Sequence, residues 1–175
     1  MMQMLAAGGM PVLSDGQRGA DVDNPKGYLE WERIKQLPKD PACIAQAEGK
    51  VVKVISQLLL SLPPEHEYRV VFMQRPLGEV LASQQQMLKN RGVTESGSSD
   101  AETVEAFQDH LFEVNAWLNG RPNLKVLRVA YHRVLSEPME TCAQVCRFFE
   151  ATLNIEAMAK QVDQSLYRQR AKQIR

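Results

Sequence analysis

The stretch Tyr68-Arg-Val-Val-Phe-Met-Gln-Arg-Pro-Leu-Gly-Glu-Val-Leu-Ala-Ser83 holds the residues best suited to chemistry. An apolar run gives way to Arg75, Pro76 then stands where a helix can begin, and Ser83 follows two turns later. In an open α/β sheet, ligands collect outside the carboxyl ends of the strands, and a helix N-terminus turns amides and a positive dipole toward an anion. Arg75 would add a two-pronged donor for a phosphate, and Ser83 a hydroxyl. The same residues read equally well as a surface arginine at a strand-helix turn and a serine facing solvent. A second cationic stretch, Tyr167-Arg-Gln-Arg-Ala-Lys-Gln-Ile-Arg175, carries four cations and no acid, so Arg168 and Arg170 read either as a phosphate clamp or as a solvated tail.

Those groups need elements to hold them. Three apolar runs are expected as strands: Val51 to Ile55, Tyr68 to Met73 and Leu124 to Val129. Between the second and third, helices are expected over Pro76 to Lys89 and Glu102 to Leu118. The latter puts Val104, Phe107, Leu111, Val114 and Leu118 on one face, and Ser99 with Glu102 has capping-box spacing at its start. Upstream, Met1 to Ala6 reads as a helix stopped by Gly8-Gly9, followed by an irregular segment from Pro11 to Gly27 and short helical pieces over Glu30 to Gln36 and Pro41 to Ala47. Downstream, helices are expected over Pro138 to Ala151 and Ile155 to Val162. Arg91 to Ala101, rich in Gly, Ser and acids, reads as a mobile linker. Helices interleaved with apolar strands imply a single α/β domain with a mostly parallel sheet flanked by helices.

Composition narrows the function classes. The chain has 175 residues, 44% apolar and 24% charged, the range of one ordinary globular domain. Its 21 basic and 21 acidic residues cancel, which argues against a nucleic-acid binder or a polybasic membrane-surface protein. No uncharged apolar run reaches the ~20 residues of a membrane span. Cys43, Cys142 and Cys146 match no zinc spacing, and Cys142 and Cys146 read as core residues, so no metal is expected and a reducing, cytoplasmic setting is. Met1 to Ser14 carries no charge and so lacks the positive start of a signal peptide. His66 and His110 read as residues without partners, and Trp31 and Trp117 as packing groups, with Tyr28 and Trp31 placed to line a small-molecule pocket.

Arg75-Pro-Leu-Gly-Glu-Val-Leu-Ala-Ser83, with arginine and serine eight apart after an apolar strand, resembles the segment with which sulfotransferases hold the 3'-phosphate of 3'-phosphoadenosine 5'-phosphosulfate. Asn24-Pro-Lys-Gly-Tyr-Leu-Glu-Trp-Glu32, Val51-Val-Lys-Val-Ile-Ser56, Val126-Leu-Arg-Val-Ala-Tyr-His132 and Tyr167-Arg-Gln-Arg170 are similar to successive blocks of the bacterial sulfotransferase-like branch, in the expected order. The resemblance implies the three-layer architecture that sulfotransferases share with P-loop nucleotide kinases, and transfer of a sulfonate to a hydroxyl or amine. The partners it implies are the nucleotide donor and an unidentified small-molecule or glycan acceptor, without nucleic acid or membrane. By position, Arg75 and Ser83 would hold the 3'-phosphate, Tyr131 would lie near the adenine, and Arg168 and Arg170 would clamp phosphate. Lys53 would stabilise the negative charge that develops on the leaving oxygen, or else point to solvent as a strand lysine.

Two departures qualify that expectation. Where many members carry a basic histidine two residues after the strand lysine, this chain has Ile55, so the base must be a carboxylate that reaches the acceptor proton, with Glu30 placed ahead of Glu32. The family's glycine-containing 5'-phosphosulfate loop, usually Pro-Arg/Lys-Ser-Gly-Thr, occurs nowhere in the 175 residues. The first strand and that loop are therefore expected to be missing, in an N-terminally truncated domain that binds the donor weakly and transfers sulfonate poorly. The alternative is a non-catalytic nucleotide-binding or scaffold domain derived from a sulfotransferase. An ATP-using kinase fits less well, for want of a Walker-type loop. A missing edge strand would leave the sheet open to pairing with another chain, including a second copy.

Overall fold

The computed structural model describes residues 1–90, 92 and 100–167. Its sheet consists of β1 (Tyr68–Gln74) and β2 (Leu124–Ala130), which run parallel with Tyr68 opposite Leu124 and Gln74 opposite Ala130. Both strands carry apolar side chains on both faces, as a sheet covered by helices on each side requires. Tyr68, Val70, Phe72, Leu124 and Val126 pack into one core with Trp31, Leu37, Val114 and Leu118. Val71, Met73, Leu127 and Val129 pack into the other with Leu5, Cys142, Val145 and Met158.

The connection from β1 to β2 runs through α3 (Leu77–Asn90) and α4 (Asp100–Gly120). On α4, Val114 and Leu118 of the expected stripe are buried in the first core, while Phe107 and Leu111 line a cleft. The second core is built by α1 (Met2–Ala7), α5 (Tyr131–Ser136), α6 (Pro138–Phe149) and α7 (Ile155–Ala159). A four-residue α2 (Ser56–Leu59) and two 3-10 helices, Glu32–Gln36 and Pro41–Ala47, cover the first. The architecture is α/β: a parallel strand pair between two helical layers.

Several expectations needed correction. Val51 to Ile55 forms no strand ladder among the described residues; a parallel bridge joins it to Val12, with Val51 N–H donating to Pro11 C=O and Leu13 N–H to Val51 C=O at 2.8 Å each. Pro11 to Gly27 is therefore not irregular throughout. The helix expected through Ile155 to Val162 ends at Ala159. His110 is not without a partner, because its Nε2 lies 2.9 Å from Ser56 Oγ. Most of the linker at 91–101 and Ser99 lie outside the described residues, while residues 100 and 101 open α4. Cys142 is fully buried and Cys146 packs against the same core, as their reading as core residues requires; burial pushes the Cys142 thiol up from its ordinary value. No helix among the described residues is long and apolar enough to cross a membrane.

Candidate functional site

Arg75 emerges where β1 ends at Gln74 and α3 begins at Leu77. Its Nε donates to Glu79 Oε2 at 2.9 Å, one helical turn on, and Glu79 is only 4% exposed. The other carboxylate oxygen accepts from the Tyr167 hydroxyl at 2.5 Å. The Arg75 guanidinium carbon also lies 5.1 Å from the Tyr131 ring centre and 5.3 Å from that of Tyr167, and the two rings meet edge-on at 5.5 Å. A buried carboxylate thus fixes one edge of the fork while two aromatic rings flank it, which restricts the arginine far more than a surface position would. Tyr131 sits at the first position of α5, where β2 ends, so the carboxyl ends of both strands contribute to the cluster.

Ser83 lies two turns into α3, half-buried, and makes no hydrogen bond to Arg75. Arg168 and Arg170 lie outside the described residues.

Lys53 forms the second cluster. Its Nζ donates to Glu30 Oε1 at 2.7 Å, and Glu30 Oε2 accepts from Arg18 Nη1 at 3.3 Å. Arg18 stacks over Tyr28 with its guanidinium carbon 3.3 Å from the ring centre, and the Tyr28 hydroxyl donates to both oxygens of Asp21 at 2.8 Å. Burial pushes the Glu30 carboxyl up, but the bonds and charges of Lys53 and Arg18 outweigh it and hold the group below the ordinary carboxylate range. Burial, then the bond to Asp21, pushes the Tyr28 hydroxyl up. The backbone aims these groups: Gly27 has φ 77° and Leu29 φ 47°, and this left-handed turn buries Tyr28 while presenting Glu30 to Lys53.

Glu32 is placed differently. It begins a 3-10 helix, its N–H donates to Asp15 Oδ2 at 2.6 Å, and its carboxylate pairs with Lys35 at 2.6 Å. Of the two carboxylates, Glu30 is the one beside Lys53.

One member or two of each cluster reach a common cleft of about 1380 Å3: Tyr28, Lys53 and Arg75 line it with the segment 51–57 and the whole of β1, while Arg18, Asp21, Glu30, Glu79, Tyr131 and Tyr167 are not among its lining residues. Trp31 lies in the first core instead. Sequence reasoning missed Arg18, Asp21 and Glu79 as members. Glu79 had a readable signal, since it stands four residues from Arg75 at a helix start. Arg18 and Asp21 had none, being loop residues joined to Glu30 and Tyr28 only by tertiary folding. Among the described residues no group of three or more His, Cys, Asp or Glu is placed to hold a metal.

No protein family, curated protein or solved structure matches this chain.

Proposed function

We propose that this chain is a sulfotransferase-like protein whose cleft takes the nucleotide of 3'-phosphoadenosine 5'-phosphosulfate. In this reading Arg75 meets the 3'-phosphate, assisted by Ser83 and by Arg168 and Arg170 of the tail, and Tyr131 lies against the adenine. Lys53 faces the sulfonate, with Glu30 as the carboxylate nearest to it. The supporting observation is the held arginine: Arg75 stands at the carboxyl end of β1, braced by buried Glu79 and flanked by two tyrosine rings. A point cation on a flexible stem would pay the ordering cost on binding; a braced guanidinium has already paid it.

The reaction would be an in-line displacement in which a base takes the acceptor proton while Lys53 neutralises charge on the departing nucleotide oxygen. Lys53 and Glu30 neutralise each other at 2.7 Å, so an arriving anion must draw the ammonium partly away. Without a 5'-phosphosulfate loop in these 175 residues, the 3'-phosphate side carries most of the donor's binding. Binding is then weak and turnover by this polypeptide undetectable. The absent loop is also the observation that favours a second reading, a non-catalytic nucleotide-binding or scaffold domain. Parallel titrations with adenosine 3',5'-bisphosphate and ATP test the site. Preference for the bisphosphate supports it, and equal or stronger binding of ATP contradicts it; sulfonation of a hydroxyl acceptor would exclude the second reading.

A further inference from the structure

The cleft has an unusual wall. In the β1–β2 ladder, Tyr68 N–H donates to Asn123 C=O at 2.9 Å, and the parallel register pairs Tyr68 with Leu124. In a parallel ladder each residue turns both its N–H and its C=O to the same side, and the side alternates along the strand. Tyr68, Val70, Phe72 and Gln74 therefore bond toward β2, while Arg69, Val71 and Met73 turn theirs into the cleft. Among the described residues no backbone hydrogen bond uses those groups. The opposite wall repeats the pattern. Val51 spends its backbone groups on Pro11 and Leu13, so the alternation turns those of Val52 and Val54 toward the cleft, and they too have no backbone partner among the described residues.

The side chains of both walls share the same two cores. Val70 and Phe72 of β1 pack into the same core as Val52 and Val54, and Val71 and Met73 pack into the same core as Val51. The two cores thus continue across the cleft from one wall to the other. Yet β1, with helices over both faces, is half-buried along its length up to the exposed Gln74. Its open edge accounts for that.

We propose that the cleft is a strand-accepting slot whose occupant is an extended segment of a partner polypeptide, inserted parallel to β1 between it and Val51 to Ile55. Strand addition of this kind takes affinity from main-chain bonds and specificity from alternate side chains. The occupant is apolar on both faces, a Val/Ile/Leu run rather than an alternating one, because each face meets an existing core. A slot of about 1380 Å3 exceeds the roughly 300–1,000 Å3 of ordinary small-molecule pockets, and β1 offers roughly 23 Å of edge at ~3.3 Å per residue. The strand would run alongside β1 while Arg75 follows the end of β1, so the strand and the nucleotide are not rivals for one position and the proposal does not depend on the nucleotide reading.

The test uses the capped peptide Lys-Val-Ile-Val-Ile-Val-Lys and the same peptide N-methylated at both isoleucines, added to the full chain while backbone amide exchange is followed residue by residue. The expected result is slowing of about tenfold or more at Arg69, Val71, Met73, Val52 and Val54 with the first peptide, and binding at least about tenfold weaker with the second. A Val71→Pro chain, which loses a slot-facing amide but no bond to β2, is expected to lose the effect; should it fail to fold, the N-methylated peptide still decides. Equal binding of both peptides would mean apolar adhesion and overturn the proposal. So would no binding, or a chain that is already a dimer with those amides protected.

Discussion

Tyr167 donates its hydroxyl to one oxygen of Glu79 at 2.5 Å while Arg75 Nε holds the other at 2.9 Å, so the residues that follow α7 are joined to the start of α3. The carboxylate is almost fully buried, and Arg75 and Tyr167 help to satisfy a charge that would otherwise be costly to enclose. Glu79 belongs to the folding of the site as much as to its chemistry.

Removing the Tyr167 hydroxyl is expected to destabilise the chain by about 1.5 kcal/mol, the low end for a hydrogen bond to a charged group. Glu79→Ala is expected to cost about 3 kcal/mol, because it removes the buried carboxylate that pairs with Arg75, only 22% exposed, and with the Tyr167 hydroxyl. Urea unfolding of Tyr167→Phe and Glu79→Ala beside the parent checks both magnitudes and their order.

The Lys53–Glu30–Arg18 network makes an acid-side prediction. The folded-state carboxyl of Glu30 is held below its unfolded value, so its contribution to stability is present above the unfolded pKa and fades as the pH falls through the lower folded one. Stability is expected to drop as the pH falls below about 4.3. In Glu30→Gln the drop should be shallower and stability near neutrality lower. Chemical unfolding at a series of pH values from neutral to acid measures the difference in slope.

Gly8, which caps α1, lies close against Met158 of α7. A Cβ there would lie 2.6 Å from Met158 Cγ and 2.8 Å from its Sδ, and Met158 is fully buried. Gly8→Ala should therefore destabilise by about 1–3 kcal/mol through overpacking, lowering the melting temperature by roughly 2–10 °C for a chain of this size. Pairing it with Met158→Ala, which opens the space, should recover part of the loss; thermal unfolding of the two single variants and the double variant measures it.

How far the sequence discloses this molecule depends on the range of the interaction. Tyr68 to Met73 and Leu124 to Val129 are legible as strands because their apolar residues meet a core on both faces, and the alternating layers follow from the order of elements. Val51 to Ile55 is similarly rich in β-branched residues but has no ladder among the described residues: strand pairing depends on a neighbouring edge, and β1 and this segment both line the cleft. In the site, Arg75 and Lys53 are visible from residue type and place. Their partners divide by distance along the chain, with Glu79 one turn from Arg75, but Glu30 23 residues from Lys53 and Tyr167 88 from Glu79. No local pattern encodes the last two.

The central claim is that Arg75 heads a nucleotide 3'-phosphate site, and calorimetric titration of the chain with adenosine 3',5'-bisphosphate, beside Arg75→Ala, tests it most directly. The account predicts weak but saturable binding by the parent and at least about a tenfold loss in the variant, as for a charge-assisted hydrogen bond of about 1.5 kcal/mol or more. No binding to a demonstrably folded parent, or equal binding by parent and variant, would contradict it.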